Sequence, residues 1–271
     1  MIDRLSVYCS GVLGPVDNQP GVANLLKISL DFLTSLVWCL TFCLEKRSAL
    51  NGSTGKREPD PTQLMATLES SELAGSISMS YALLLYQGAP IRPRLIKTDG
   101  QSEELLSAIH ASNSVIPSSP PPPPGSRTAS VVKSTLCLVN AVARLDINAL
   151  QNILGSEAMS LQFRHIASQL LWQVVPHRED RAMGGLLQEL FIAIGHFTVN
   201  NLRNQMTIQS GQTPTVLQQL CAVAKEFLSD LRLSRSILPT LIAATHGCPE
   251  NRELLVQENF PTDVSRVSHR C

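Results

Sequence analysis

An internal repeat near the C-terminal end constrains the fold of this 271-residue chain more than any other feature. The stretch that starts at Asn204 can be laid on the stretch that starts at Asn251, and Ile208 then falls on Leu255, 47 residues later. Self-similarity at such a period is typical of proteins whose units bury their apolar faces only by stacking on their neighbours. The repeat therefore predicts a stack of similar helical units.

Both copies begin with an asparagine, whose side chain can accept hydrogen bonds from the free N–H groups in the first turn of a helix. We therefore expect a short helix to begin at Asn204 and another at Asn251. In the first copy the short helix would end at Gly211, and Pro214 would precede a longer helix. An earlier copy around 148–172 fits less well, because its spacing is off.

The pattern from 201 to 220 resembles the armadillo repeat, which has a similar period. This resemblance implies an all-α fold, an armadillo- or HEAT-like helical stack with a proline-rich insertion. The residues that define the repeat are Asn204, Ile208, Gly211, Pro214, Asn251 and Leu255.

Composition agrees with helices and argues against a nucleic-acid partner. Aromatic residues make up only 4% of the chain, so the core must be aliphatic, which suits stacked helices better than strands. Lysine plus arginine and aspartate plus glutamate number 22 each, and a neutral chain offers no broad field to a phosphate backbone. Charged residues are only 16%, which indicates that part of the surface is covered by a partner or by a longer chain.

Five consecutive prolines, 120–124, give the clearest boundary in the chain, because such a run forms neither helix nor central strand. We predict an N-terminal helical region at 1–112, a proline-rich linker at 113–130, helical repeats at 131–258 and an irregular tail at 259–271. The proline run is read either as a solvated insertion or as an extended ligand for a proline-binding groove.

The most apolar stretch, 22–44, could be mistaken for a membrane span. Lys27 and Asp31 interrupt it and fall on one helix face, and the uninterrupted part, 32–44, is too short to cross a bilayer. We predict a buried core helix with one solvated edge, and the alternative is a membrane-proximal anchor. A polar loop is expected to follow from Glu45 to Pro61.

No catalytic pattern occurs, so we predict a protein that is not an enzyme and has no catalytic, cofactor or metal site. Cys39 and Cys43 share a helix face as two metal ligands would, but they have no histidine partner in sequence, and core packing is the better interpretation. His165 and His196 are read as structural histidines. The odd number of cysteines, seven, argues against a disulfide framework.

A narrower resemblance is carried by six short stretches: 14–17, 72–75, 160–168, 196–200, 214–221 and 241–244. They are similar to the C-terminal region of the family of the S phase cyclin A-associated protein in the endoplasmic reticulum. The resemblance implies a regulator that holds cyclin A and its kinase in the cytoplasm, at the cytosolic face of the endoplasmic reticulum. Family members carry a zinc finger, but the Cys-x-x-Cys pattern that it requires is absent here.

Arg252, Leu254 and Leu255 have the Arg-x-Leu-apolar form that cyclin docking grooves accept. The same leucines fall where the repeat needs buried residues, which favours a structural role. The sequence therefore predicts a non-catalytic scaffold with protein partners, found at the endoplasmic reticulum and in the cytoplasm, with the nucleus as a further compartment. The alternatives are a helical cap of a larger protein and the membrane-proximal anchor.

Overall fold

The computed structural model describes residues 15–50, 72–88, 122–227 and 231–258, and these residues form α-helices, short 3-10 turns and loops, with no strand among them. The predicted all-α helical stack is confirmed. The α-helices are α1 (Pro20–Leu50), α2 (Glu72–Gly88), α3 (Ser126–Leu145), α4 (Ile147–Leu154), α5 (Glu157–Val174), α6 (Arg181–Thr198), α7 (Leu202–Gln209), α8 (Val216–Phe227), α9 (Leu231–Thr245) and α10 (Pro249–Gln257).

The helices form two layers with short helices between them. Helices α1, α3, α6 and α9 lie side by side in that order, and we call them the first layer. Helices α2, α5 and α8 form the second layer in the same way. The short helices α4 and α7 each begin a triplet, α4–α6 and α7–α9, and α10 follows the second triplet. Each unit therefore buries its apolar faces against the units before and after it.

The predicted starts of the two short helices are wrong. The N-cap of α7 is Asn201, whose side-chain oxygen accepts a hydrogen bond from the Asn204 N–H at 3.1 Å. The N-cap of α10 is Cys248, which makes no side-chain capping bond, and Pro249 occupies the first turn. Each asparagine of the repeat is the third residue of its helix, because the pattern marks buried amides and not caps.

Those buried amides reach back to the end of the preceding helix. Asn204 Nδ2 donates to the Phe197 carbonyl at 2.9 Å, and Asn251 Nδ2 donates to the Ala244 carbonyl at 2.8 Å. Both bonds span seven residues, so they are the same contact in successive units. Each satisfies a carbonyl at a helix C-terminus that has no partner within its own helix.

A second pair of amides closes each triplet. Gln205 Nε2 in α7 donates to the carbonyls of Ala243 and His246 at the end of α9, at 2.8 and 2.7 Å. Gln151 Nε2 in α4 makes the same two bonds at the end of α6, at 2.9 and 2.8 Å. An earlier unit is therefore present. Its spacing is off because the first triplet holds more residues between its short helix and its last helix.

Two further features concern helix continuity and helix boundaries. A proline inside a helix usually breaks or kinks it, but Pro239 lies inside α9. Buried residues on both sides of it, Ile237 and Leu241, keep the helix continuous against α6. The loop predicted from Glu45 begins later, because α1 continues to Leu50. Much of the predicted N-terminal region, part of the predicted linker and the tail at 259–271 lie outside the described residues.

The end of the predicted linker is attached to the N-terminal segment. Helix α3 begins at Ser126, within the stretch 113–130. Its N-cap residue, Gly125, has no side chain that could accept hydrogen bonds from the first turn. The side chain of Asp17, which is far away in the sequence, accepts them instead. The Asp17 carboxylate accepts hydrogen bonds from the Arg127 N–H at 2.9 Å and from Thr128 Oγ1 at 2.6 Å. A carboxylate at a helix N-terminus is also favoured by the helix dipole.

Candidate interaction site

A cavity of about 970 Å³ lies between α5 and α8 in the second layer. Buried Leu171, Val216 and Val223 contribute its apolar lining. On α5 the lining residues fall at 164, 165, 168, 169, 171 and 172, and on α8 at 216, 219, 222, 223 and 226. Both sets follow the three-and-four spacing of one helix face, so two facing helices build the cavity.

The loop before α8 forms one end of the cavity. Gly211 has a φ of +104°, which disfavours other residues. A Cβ there would also lie 3.1 Å from the Arg164 guanidinium carbon. Arg164 Nη1 in turn donates to Ser210 Oγ at 2.6 Å, which ties this loop to α5.

Helix α8 begins with a reciprocal cap that fixes this loop. The Thr215 N–H donates to Gln218 Oε1 at 2.9 Å, and the Gln218 N–H donates to Thr215 Oγ1 at 3.3 Å. This capping box satisfies two donors of the first turn and sets the direction in which Pro214 enters the helix.

Gln219 is the most informative polar group in the cavity lining. Its Nε2 donates to Ser168 Oγ at 2.8 Å and to the Pro214 carbonyl at 3.0 Å. Its Oε1 is buried and accepts no hydrogen bond within the described chain. A buried acceptor without a donor is unfavourable, so an N–H group that enters the cavity would gain a bond here.

The other end of the cavity is aromatic and charged. Trp172 lines it with 54% of its surface exposed, and a large exposed indole is a common anchor in protein interfaces. Glu226 lies at the same end and pairs with Arg178 at 3.6 Å. At the end near Arg164, His165 packs edge-on against Tyr81 of α2, with ring centroids 5.9 Å apart. The cavity therefore offers a ligand both apolar surface and hydrogen-bonding groups.

The sequence-predicted repeat residues divide into two groups. Gly211 and Pro214 line the cavity. The other four, which are buried in the core around α7 and α10, are Asn204, Ile208, Asn251 and Leu255. Two stretches that carried the family resemblance, 160–168 and 214–221, therefore meet at one surface.

The predicted cyclin-docking residues lie in α10. Leu255 is only 1% exposed and belongs to the core, and Leu254 is half-buried against it. Arg252 is half-buried. In this fold Leu255 is not presented to a partner's groove.

Two cysteine interpretations come out differently. Cys39 and Cys43 are exposed, so the prediction that they pack in the core is wrong. Cys137 and Cys221 do lie among apolar helices, and burial, with Glu189 beside Cys137, raises the pKa of each thiol to about 12. These two thiols are protonated at neutral pH and are poor nucleophiles.

His196 lies in α6, partly buried beside Arg144 of α3. Burial, and then the positive charge of Arg144, lower the pKa of its imidazole below 6.5. Its carbonyl accepts the Gln151 bond described above. Its contacts fit a structural histidine.

Helix α1 differs from the predicted core helix. Lys27 and Asp31 lie on one helix face, as predicted, and form an ion pair. Only one face is buried, however, and the opposite face exposes large apolar side chains: Leu25, Ile28, Phe32, Leu36, Trp38 and Phe42. Residues Pro20–Lys46 are long and apolar enough to cross a membrane by length and composition, and no other described helix meets that test.

The sequence did not point to Trp172 or Gln219. One signal was available, because Trp172 is one of only two tryptophans in the chain and stands beside Leu171 in the apolar pattern. Which of two adjacent apolar residues turns outward depends on the neighbouring helix, which the sequence does not specify.

A comparison with protein-family models finds no match. Among curated proteins, the human "S phase cyclin A-associated protein in the endoplasmic reticulum" is 33% identical over 258 residues. The match covers 95% of this chain and 16% of the human protein. The predicted resemblance is confirmed: along nearly its whole length, this chain is similar to one part of a much longer protein that is named for its association with cyclin A at the endoplasmic reticulum.

Proposed function

We propose that this chain is a non-catalytic scaffold that helps to hold cyclin A and its kinase at the cytosolic face of the endoplasmic reticulum and in the cytoplasm. The observation that carries the proposal is the cavity between α5 and α8. The similarity to the cyclin A-associated protein suggests the partner, and the stacked helices supply a rigid frame for the contact. Association with the membrane would be peripheral, and the nucleus is a further compartment.

The cavity suits an extended peptide segment of the partner. An apolar side chain of the peptide would occupy the space between Leu171 and Val223, and Trp172 would cover it from one side. A peptide N–H would donate to the unpaired Gln219 Oε1. Central burial of an aromatic anchor beside a satisfied polar group is the usual composition of a strong protein contact.

Arg252, Leu254 and Leu255 remain a second candidate contact with cyclin A. Leu255 would have to leave the core before it could enter a partner's pocket. This route requires α10 to detach from the stack, and it therefore costs more free energy than binding at a preformed cavity.

The test is retention of purified cyclin A with its kinase on the immobilised full-length chain. We expect Trp172→Ala to weaken retention by about 30-fold, because loss of a central tryptophan commonly costs ~2 kcal/mol. Leu161→Ala is the matched control, since Leu161 is an exposed residue of the same helix outside the cavity lining. Leu254→Ala tests the second contact.

Equal retention by the wild type and Trp172→Ala would exclude the cavity as the contact. If the folded wild type retains no cyclin A, the scaffold proposal itself fails for this chain. The remaining interpretation would then be a helical cap that packs against other parts of a longer protein, which the low charge content also suits.

A further inference from the structure

Among the described residues of the first layer, only α1 has an exposed side of large apolar residues. Ile28 and Phe32 are 65% and 66% exposed, although both are large apolar residues of a well-formed helix. The opposite side of α1 is buried, largely against α3, through Leu26, Leu30 and Val37. We call the exposed side the open face: Leu25, Ile28, Phe32, Ser35, Cys39 and Phe42, with Leu36 and Trp38 at its edges.

The open face has the spacing of a helix–helix seam. Its residues recur at 25, 28, 32, 35, 39 and 42, alternating by three and four, which is the pattern of positions a and d in a coiled coil. The residues between its members are polar or turned towards α3, except Leu36 and Trp38 at the edges. A narrow seam favours one partner helix.

The stripe is self-complementary when a second α1 runs antiparallel to it. In an antiparallel pair each a position faces a d position, and a two-fold axis between Leu33 and Thr34 gives such a register. Ile28 then faces Cys39 of the partner subunit, and Phe32 faces Ser35 of the partner subunit. Each of these layers joins a large side chain to a small one, the combination that close packing requires.

We propose that the open face of α1 is the two-fold interface of a homodimer, in which the two α1 helices pack antiparallel. The inference is independent of cyclin A binding, since the cavity lies in the second layer. A two-fold interface uses the same patch on both subunits. The open face can meet this requirement, because its large residues face small residues of a second copy of the same face.

The charges beside the stripe fit this partner better than a lipid surface. Of the two described lysines beside the stripe, Lys27 is paired with Asp31, and Lys46 lies over the Phe42 ring, 4.5 Å from its centroid. In the antiparallel register Asp31 lies opposite Trp38 of the partner subunit. In each subunit the Arg144 guanidinium stacks on the Trp38 ring, with its carbon 4.4 Å from the ring centroid. A carboxylate of one subunit therefore approaches a cation of the other.

The available area is sufficient. With Leu36 and Trp38 included, the exposed parts of the six large apolar residues come to roughly 700 Å² per subunit, close to the ~800 Å² that a standard interface buries on each partner.

The first experiment measures the mass of the full chain in reducing buffer by light scattering over a range of concentrations. We expect a monomer–dimer equilibrium, and we expect Phe32→Glu to weaken dimerisation by at least about 100-fold, because it places two charges in the seam. Leu202→Glu is the control, because Leu202 is 55% exposed on α7. Circular dichroism of each variant reports whether it is folded.

The second experiment tests the register by mild oxidation. Ile28→Cys places a thiol opposite Cys39 of the partner subunit, and we expect a cross-linked dimer. Within one chain these two positions are 11 residues apart on a helix, about 16 Å, too far for a disulfide. The wild type and Leu202→Cys should not cross-link.

Three outcomes would overturn the proposal. A wild type that stays monomeric at all concentrations would mean that the open face packs against a helical unit other than a second copy of this chain. If the monomer floats with vesicles of phosphatidylcholine and phosphatidylserine, the open face would instead be a lipid-binding surface. A dimer that Phe32→Glu leaves intact, with Ile28→Cys not cross-linking, would place the interface elsewhere.

Discussion

Helices α6 and α1 occupy the same layer, and both are long and apolar, but their environments differ. Helix α6 packs between α3 and α9, and its Leu186, Leu190 and Phe191 are fully buried. Helix α1 packs on α3 alone within that layer, and half of its apolar side chains remain exposed. The difference teaches that in a helical stack the position of a helix decides its burial as much as its composition does.

The largest expected effect separates matched leucines in these two helices. Leu187 of α6 is 0% exposed and Leu36 of α1 is 47% exposed. Leu187→Ala should lower the free energy of unfolding by about 2–5 kcal/mol, because it leaves a cavity in a close-packed core. Leu36→Ala should lower the free energy of unfolding by less than about 1 kcal/mol. Urea denaturation at low protein concentration measures both without a contribution from dimerisation.

Equal losses for the two variants would contradict this comparison. They would mean that the open face of α1 is covered within a single chain. A loss for Leu36→Ala that grows with protein concentration would instead locate the missing burial in the dimer.

An intermediate effect on the free energy of unfolding is expected from the hydrogen bonds that join α3 to α6 and α3 to α1. Asn140 Nδ2 donates to the Glu189 carbonyl of α6 at 3.1 Å and to the Glu189 carboxylate at 2.9 Å. Ser134 Oγ donates to Asp31 of α1 at 2.7 Å, and Asp31 also has Lys27. Asn140→Ala should therefore cost about 1–3 kcal/mol and Ser134→Ala about 1 kcal/mol or less, as measured by thermal unfolding.

The reverse order would show that the contact between α1 and α3 is the stronger of the two. A double-mutant cycle of Asn140→Ala with Glu189→Ala would separate the hydrogen bonds from packing changes.

The smallest expected effect is a difference in pH dependence. The pKa of His196 in α6 is lowered below 6.5 by burial and then by Arg144, so the unfolded chain binds more protons just below that pH. The free energy of unfolding should therefore fall as the pH decreases below about 6.5, by less than ~1.4 kcal/mol for each pH unit. His196→Gln should flatten this slope.

Asp31 in α1 should act at lower pH. Partial burial raises the pKa of its carboxyl, but the hydrogen bonds from Lys27 and Ser134 outweigh burial, and the pKa lies below 3.8. Its stabilising contribution is therefore complete above about pH 4 and is lost as the pH falls further. Urea titrations of His196→Gln and Asp31→Asn would contradict this ordering if Asp31→Asn altered the slope near pH 6.

Much of the fold could be predicted from residue periodicity. The spacing at Leu186, Leu190 and Ile194 predicts α6 because a buried helix repeats its apolar residues every three or four positions. The 47-residue repeat located Asn204 and Asn251 as equivalent positions. Their role was not predictable, because a cap and a buried amide use the same residue type, and only the tertiary contact to Phe197 or Ala244 distinguishes them.

The candidate site was predicted only in part. Gly211 and Pro214 were singled out for the repeat, and both line the cavity. Gln219 and Trp172 were missed because their environment depends on how α8 sits against α5, a contact between residues some 50 positions apart in sequence. The open face of α1 was missed because apolar residues on opposite sides of a helix predict burial on both.

The contact pattern of the stack has a consequence for how the chain opens. Helix α6 touches neighbours on both sides, whereas α10 is held by a few contacts with α7, α8 and α9. Opening can therefore proceed unit by unit from an end, without loss of the whole molecule at once. Backbone amides would exchange with solvent deuterium earliest in α10 and latest in α6, so the rates would trace the order of the helices in the stack and not their order in the chain.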